Sequence, residues 1–215
     1  MVVDGVLTLY QSTPRHVQLH VEGRWRLFPF ERLIEYIPPR GNVVDIGCGH
    51  GVWIFYLARH FPELSLWGVD PDRAKIAIAQ NIVVDKQIPN TQFLVNTAEN
   101  ICLPECDLVS IIDVMYLIPY DAQRRVLEHV VNALRPSSAL LLKEMGETPR
   151  WKYVWNWTEE WLAVRLLNIT MGARFYFRSI REWEALLREV GLKVQTVRID
   201  QGYLHPHVLF VGEKR

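Results

Sequence analysis

A chain of 215 residues, 49% hydrophobic and 22% charged, has enough apolar surface for one substantial core, alone or with a small insertion. Its 24 basic and 24 acidic residues cancel, which excludes a global basic field drawing the chain to nucleic acid or an anionic membrane; a nucleic-acid substrate would need a local patch. The three cysteines, Cys48, Cys102 and Cys106, form no CxxC pair, and neither a secretory signal nor an apolar run of about 18 residues is visible, so a cytoplasmic setting without disulfides, structural zinc or a membrane span is expected.

Residues 1–28 mix polar and aromatic side chains without clear periodicity. Pro29–Ile37 reads as a short amphipathic helix stopped by Pro38, Pro39 and Gly41. Asn42–Gly47 is an apolar, β-branched strand, followed by a glycine turn and a helix over Val52–His60. Leu64–Asp70 is a second strand, and Pro71 with Asp72 opens a helix to about Val84. Thr91–Val95 and Leu108–Asp113 are the third and fourth strands, the latter apolar enough for burial on both faces. A helix over Asp121–Leu134 ends at Pro136, and Ala139–Glu144 is a fifth strand. Residues 145–177 are rich in aromatic side chains, among them Trp151, Tyr153, Trp155, Trp157 and Trp161. Ser179 then caps a helix to about Val190, Gly191 ends it, and strands at Lys193–Ile199 and His207–Gly212 close the chain.

Strands separated by helices argue for an α/β fold with a doubly wound, mostly parallel sheet. Seven strands are expected, the last antiparallel, with helices on both faces. The chain reads as a single domain, 1–215. Within it, 1–40 is an N-terminal cap region, 41–145 a cofactor-binding core, 146–178 an aromatic insert, and 179–215 a helix and hairpin.

The sharpest signal is Val43-Val44-Asp45-Ile46-Gly47-Cys48-Gly49-His50-Gly51. A strand ends in glycines, so the backbone turns tightly and approaches a ligand with no Cβ in the way. The helix that follows presents unpaired N–H groups. Asp70, at the end of the second strand, is placed to accept hydrogen bonds from ribose hydroxyls. The glycines run G-x-G-x-G, whereas dinucleotide enzymes use G-x-G-x-x-G. Asp45 would repel a pyrophosphate but suits a cation. S-adenosylmethionine (SAM) has a sulfonium and an ammonium and no phosphate, so this charge pattern favours it.

D-x-G-x-G-x-G after an apolar strand resembles motif I of the class I SAM-dependent methyltransferases. The resemblance extends over roughly residues 40–145. Phe93-Leu94-Val95-Asn96-Thr97-Ala98-Glu99 is similar to the segment that passes the adenine, with Thr97 where an Asp is usual. Cys106-Asp107-Leu108-Val109 and Leu134-Arg135-Pro136 match the entries to the fourth and fifth strands, although Ser137-Ser138 replaces the usual glycine pair. The resemblance implies an enzyme that binds SAM and releases S-adenosyl-L-homocysteine. It implies cofactor contacts at Asp45, Gly47, Cys48, Gly49, Gly51, Asp70, Pro71, Thr97, Ala98 and Asp113, and no metal.

Asp113-Val114-Met115-Tyr116 lacks the N/D-P-P-Y/F pattern of nucleic-acid amine methyltransferases. Tyr116, as a residue lining the acceptor pocket, and His205, as a general base, are the catalytic candidates; no catalytic residue is assigned. His16 and His20, spaced i, i+4, lack a third ligand for metal. The aromatic stretch 151–177 is expected to be a lid over the acceptor. An aromatic-walled pocket on a neutral protein suggests a small, partly apolar acceptor such as a lipid or secondary metabolite. The alternative is a SAM-binding regulator or accessory protein with the same fold and no transferase activity.

Overall fold

The computed structural model describes residues 5–146, 175–203 and 206–214. Most of the aromatic insert, 147–174, and His205 lie outside the described residues, so the lid and the His205 reading are not addressed by it.

The elements in chain order are α1 (Arg15–Leu27), β1 (Gly41–Ile46), α2 (Val52–His60), β2 (Leu64–Asp70), α3 (Arg73–Lys86), β3 (Thr91–Val95), β4 (Cys106–Ile112), α4 (Tyr120–Ala133), β5 (Leu134–Met145), α5 (Ile180–Glu189), β6 (Leu192–Arg198) and β7 (His207–Lys214). The seven strands form one sheet in the order β3-β2-β1-β4-β5-β7-β6. Strands β1 to β5 pair parallel, while β7 is antiparallel to both β5 and β6. The expected architecture is therefore observed.

Alternation along the strands feeds two cores, one on each face. Val43, Leu108, Leu141 and Leu209 enter the core that includes α2 and the N-terminal region. Val44, Val109, Leu140, Leu142 and Phe210 enter the core with α4 and α5. That two-sided burial is why these strands read as near-continuous apolar runs.

Three expectations need correction. Residues 15–27, read as aperiodic, form α1, whose buried apolar stripe is only Val17 and Val21. The segment expected as an amphipathic helix is a run of 3₁₀ turns over Phe30–Tyr36, flanked by prolines that limit its extension. Strand β5 starts at Leu134 rather than Ala139, because Leu134 pairs with Cys106 before the register shifts. Ser137 sits at φ 63° in this irregularity, where the family's glycine would avoid the left-handed penalty.

The register aligns Asp45 with Gly68 on β2 and with Ser110 on β4, so the floor beneath the glycine turn is fixed by strand pairing. A Cβ on Gly68 would lie 2.5 Å from Phe93 and 2.9 Å from the Sγ of Cys48. Phe93 is itself packed at 5.3 Å against Phe55. Gly68→Ala is therefore expected to destabilise the fold by about 1–3 kcal/mol through overpacking, lowering Tm by about 2–4 °C per kcal/mol; denaturant and thermal unfolding check this.

Candidate functional site

Strands β1 and β4 are neighbours whose connections leave toward opposite edges of the sheet, and the space outside their C-terminal ends stays uncovered by either crossover. A cavity of about 500 Å³ lies there. Asp45, Gly47, Cys48, Gly49, Asp70, Pro71, Thr97, Ala98, Asp113 and Tyr116 all line it. Of the ligands expected from the sequence, Gly51 does not line the cavity; it is the left-handed N-cap of α2 at φ 83°.

Gly47 and Gly49 occupy left-handed conformations at φ 79° and 56°. A side chain at Gly47 would strike Val114, whereas one at Gly49 would meet no protein atom within 4 Å. Gly49 therefore keeps open space for a ligand. Asp70 holds the turn: one carboxylate oxygen accepts the Gly49 N–H at 2.9 Å and the other the Asp72 N–H at 2.9 Å. Each oxygen keeps further acceptor capacity for a hydroxyl. Asp72 caps α3 by accepting from the amides of Ala74 and Lys75. Thr97 Oγ1 is buried without a partner.

Asp45 is 3% exposed and accepts a 2.7 Å hydrogen bond from the hydroxyl of Ser110. Burial pushes its carboxyl up to about 7, against the opposing pull of the Ser110 hydroxyl and the Arg24 charge. Burial likewise holds the Cys48 thiol well above its ordinary range, so it packs as a neutral thiol.

Asp113, at the end of β4, has φ 56°, a conformation costly for a non-glycine residue. Its carboxylate explains the geometry. One oxygen accepts from Arg24 on α1 at 2.6 Å, and the other is bound by Lys143 of β5. Burial alone would raise its pKa, but the Lys143 and Arg24 charges outweigh it and hold the group well below the usual carboxylate range. Asp113 thus faces the cavity as part of an ion triad with both oxygens engaged. The ring of Tyr116 stacks on Phe177 at 5.2 Å and leans on Phe175 at 5.8 Å, so packing accounts for much of its placement.

Sequence reading missed His20 and Arg24, which line the cavity from α1, and His50 and Trp53, which line it from the glycine turn and α2. A signal existed: His16, His20 and Arg24 recur every four residues after Pro14, placing them on one helical face. It also missed Lys143, a lone cation in the apolar run of β5. Among the described residues, no cluster of three or more His, Cys, Asp or Glu is arranged to hold a metal, and no helix is long and apolar enough to cross a membrane.

A family model described as a methyltransferase domain matches residues 17–197. The chain is 30% identical over 116 residues to phthiotriol/phenolphthiotriol dimycocerosates methyltransferase 1 of Mycobacterium ulcerans, covering 52% of this chain and 41% of that one. It is 34% identical over 73 residues to ribosomal RNA small subunit methyltransferase G of Trichormus variabilis, covering 34% and 30% of the two chains. The crystal structure of a SAM-dependent methyltransferase from Aquifex aeolicus superposes with a TM-score of 0.68 at 15% identity, over 92% of this chain and 98% of that one. The chain spans less than half the length of these curated relatives. It belongs to the methyltransferase-domain family and has the class I SAM-dependent methyltransferase fold.

The burial of Asp45 generates a test on the protein without ligand. A carboxyl moved from 3.8 to about 7 costs on the order of 4 kcal/mol when ionised. The unfolded chain binds fewer protons than the native one between these values, so this contribution to stability falls as pH rises from about 4 to 7 and is lost in full above. Asp45→Asn keeps an acceptor for Ser110 and removes the charge. The variant is expected to unfold at higher denaturant than the parent at pH 8, with the difference shrinking toward pH 5. Unfolding curves that stay parallel across that range would contradict the assignment.

Proposed function

We propose that this chain is a single-domain enzyme that binds SAM and transfers its methyl group to a small, partly apolar acceptor. The observation that carries the reading is the pairing of two carboxylates, Asp45 and Asp70, around a glycine turn whose Gly49 opens onto empty cavity.

The residues present fit the cofactor. Asp70 has acceptor capacity for ribose hydroxyls, and the Asn96–Ala98 segment, with the orphaned Thr97 hydroxyl, lines the cavity where a base would lie. Asp45 ionises more readily beside a cation, so a sulfonium would relieve the burial penalty that the site carries when empty. SAM, when bound, supplies a methyl group already attached to a good leaving group.

The task left to the protein is alignment and exclusion of water. The acceptor-facing wall is built from Phe30, Trp53, Ile112, Val114 and Tyr116. Phe30 stacks on Trp53 at 5.5 Å and Trp53 on Tyr56 at 5.7 Å, which makes that wall rigid. The Arg24–Asp113–Lys143 triad fixes the end of β4. Asp113 has both oxygens engaged, so it positions and does not accept the acceptor's proton.

A small acceptor is supported by this aromatic wall, by the cancelling charges of the chain, and by similarity to a methyltransferase named for phthiotriol dimycocerosates. A nucleic-acid acceptor has the ribosomal RNA relative on its side but no excess of basic residues. A cytoplasmic location belongs to the same reading, supported by three free cysteines, two of them buried.

Asp70→Ala is expected to weaken S-adenosylhomocysteine binding about ten- to a hundredfold, the loss of charged hydrogen bonds worth about 1.5–3 kcal/mol. Calorimetry on the variant, with circular dichroism to verify folding, measures it. Unchanged affinity in a folded variant would remove Asp70 from the site. Radiolabelled SAM offered with phenols, hydroxylated lipids and a ribosomal RNA fragment separates the acceptor classes. Label is expected in the small molecules and absent from the RNA.

A further inference from the structure

One corner of the cavity is not served by its carboxylates. His50 is 9% exposed, and its backbone carbonyl is held by the Tyr10 hydroxyl at 2.7 Å. Its ring lies 5.2 Å from that of His20, which α1 carries at the cavity mouth. Nδ1 of His50 and Nε1 of Trp53 are buried without a hydrogen-bond partner, although both residues line the cavity. Gly51, between them, caps α2 without a side chain, so the positive end of that helix faces the same corner.

The charged surroundings agree in sign. His16, His20 and Arg24 come from α1, and Lys75 from α3. The acid whose charge acts on His50 is Asp72, whose carboxylate is already engaged by the amides of Ala74 and Lys75. A buried N–H donor and a helix N-terminus without a side-chain cap favour an anion, and Arg24 and Lys75, paired with Asp113 and Asp72, keep the surroundings from turning acidic. Asp45 and Asp70 elsewhere on the wall disfavour a dianion, which leaves a carboxylate.

Resting on the cofactor reading above, we infer that His50 and His20 form a proton-linked clamp for the α-carboxylate at the amino-acid end of the cofactor. In the free protein the Asp72 charge only partly offsets the burial of His50. Burial, then His20 and Lys75, bring His50 down to about 4, with Asp72 opposing; burial, then Lys75 and Arg24, lower His20. Both imidazoles are therefore neutral at pH 7. A carboxylate placed against them favours the charged form, so the pair gains a proton as ligand binds. The sign follows: affinity falls as pH rises through the pKa of the liganded pair, and levels off below that of the free pair.

Two probes separate the clamp from the cofactor reading. S-adenosylhomocysteine carries the amino-acid end, and 5′-methylthioadenosine keeps the nucleoside and lacks it. Titration calorimetry between pH 6 and 8, in two buffers of different ionisation heat, is expected to show proton uptake with the first and none with the second. His50→Gln and His20→Gln are expected to lose about tenfold in affinity for S-adenosylhomocysteine and to lose the uptake. The same variants should bind 5′-methylthioadenosine as the parent does, which also reports an intact fold. Binding of S-adenosylhomocysteine by the parent without proton uptake overturns the clamp, as does equal weakening of both probes in the variants. Failure of the parent to bind either probe overturns the cofactor reading and the clamp with it.

Discussion

Strands β1 and β4 pair in register although Asp45 and its partner Ser110 are 65 residues apart. From β1 the chain winds outward through β2 and β3, then returns to place β4 on the other side. The two crossovers diverge, and the cavity at the ends of these strands is what that divergence leaves. Everything polar in the site depends on the arrangement. The pairing sets Ser110 beside Asp45 and puts Gly68, with no side chain, on its other flank. Asp70 ends β2 one strand away and reaches back to the Gly49 amide. A carboxylate buried beneath a turn is a poor way to stabilise a fold. Its retention makes physical sense where a cation is to be bound, because the desolvation cost met during folding becomes differential affinity for that cation.

The Arg24–Asp113–Lys143 triad extends the same logic to the N-terminal region. Lys143 is 1% exposed, and a lone ammonium in such a place would be prohibitive. Asp113 meets it from β4, and the left-handed backbone at Asp113 is the local strain this requires. Arg24 adds the second cation from α1, 89 residues away in sequence. Its guanidinium also covers the Phe28 ring at 5.0 Å, and Phe28 packs on Phe30 at 4.5 Å. The triad thereby ties α1, β4 and β5 at one point, and α1 becomes a wall of the cavity. Replacing Asp113 leaves the buried Lys143 ammonium without the carboxylate that meets it and frees Arg24, so the three residues act as a unit.

These couplings explain what was and was not readable in the sequence. The central strands were legible because β1, β4, β5 and β7 bury apolar side chains in both cores; Leu64–Asp70 and Thr91–Val95, nearer the edge, still fall where their composition places them. The helix Val52–His60 was legible for the same reason, since its first six residues are all buried. The proposed cofactor half of the site came from local pattern: glycines, Asp45 and Asp70 within one βαβ unit. Helix α1 was not legible by apolar periodicity, because Val17 and Val21 alone are buried and its other face is given to His16, His20 and Arg24. Neither the role of Arg24 nor that of Lys143 follows from its neighbours in sequence. Both are decided by contact with Asp113, a long-range fact. The early start of β5 at Leu134 depends on an irregular register that no propensity encodes.

The distribution of charge around the cavity bears on which nucleotide the fold accepts. Asp45 and Asp70 flank the glycine turn, whereas His20, His50, Arg24 and Lys75 gather toward α1 and the start of α3. A dinucleotide would set its pyrophosphate at the turn, close to the buried carboxyl of Asp45, where like charges repel and water cannot screen them. A zwitterion with a central sulfonium avoids this conflict. Its cationic atom can lie toward Asp45, its ribose toward Asp70, and its carboxylate toward the imidazoles. The α2 N-terminus then faces an anion in the conventional sense, one held by imidazoles that take up a proton as it binds. On the proposed reading, discrimination between cofactors rests on repulsion as much as on fit.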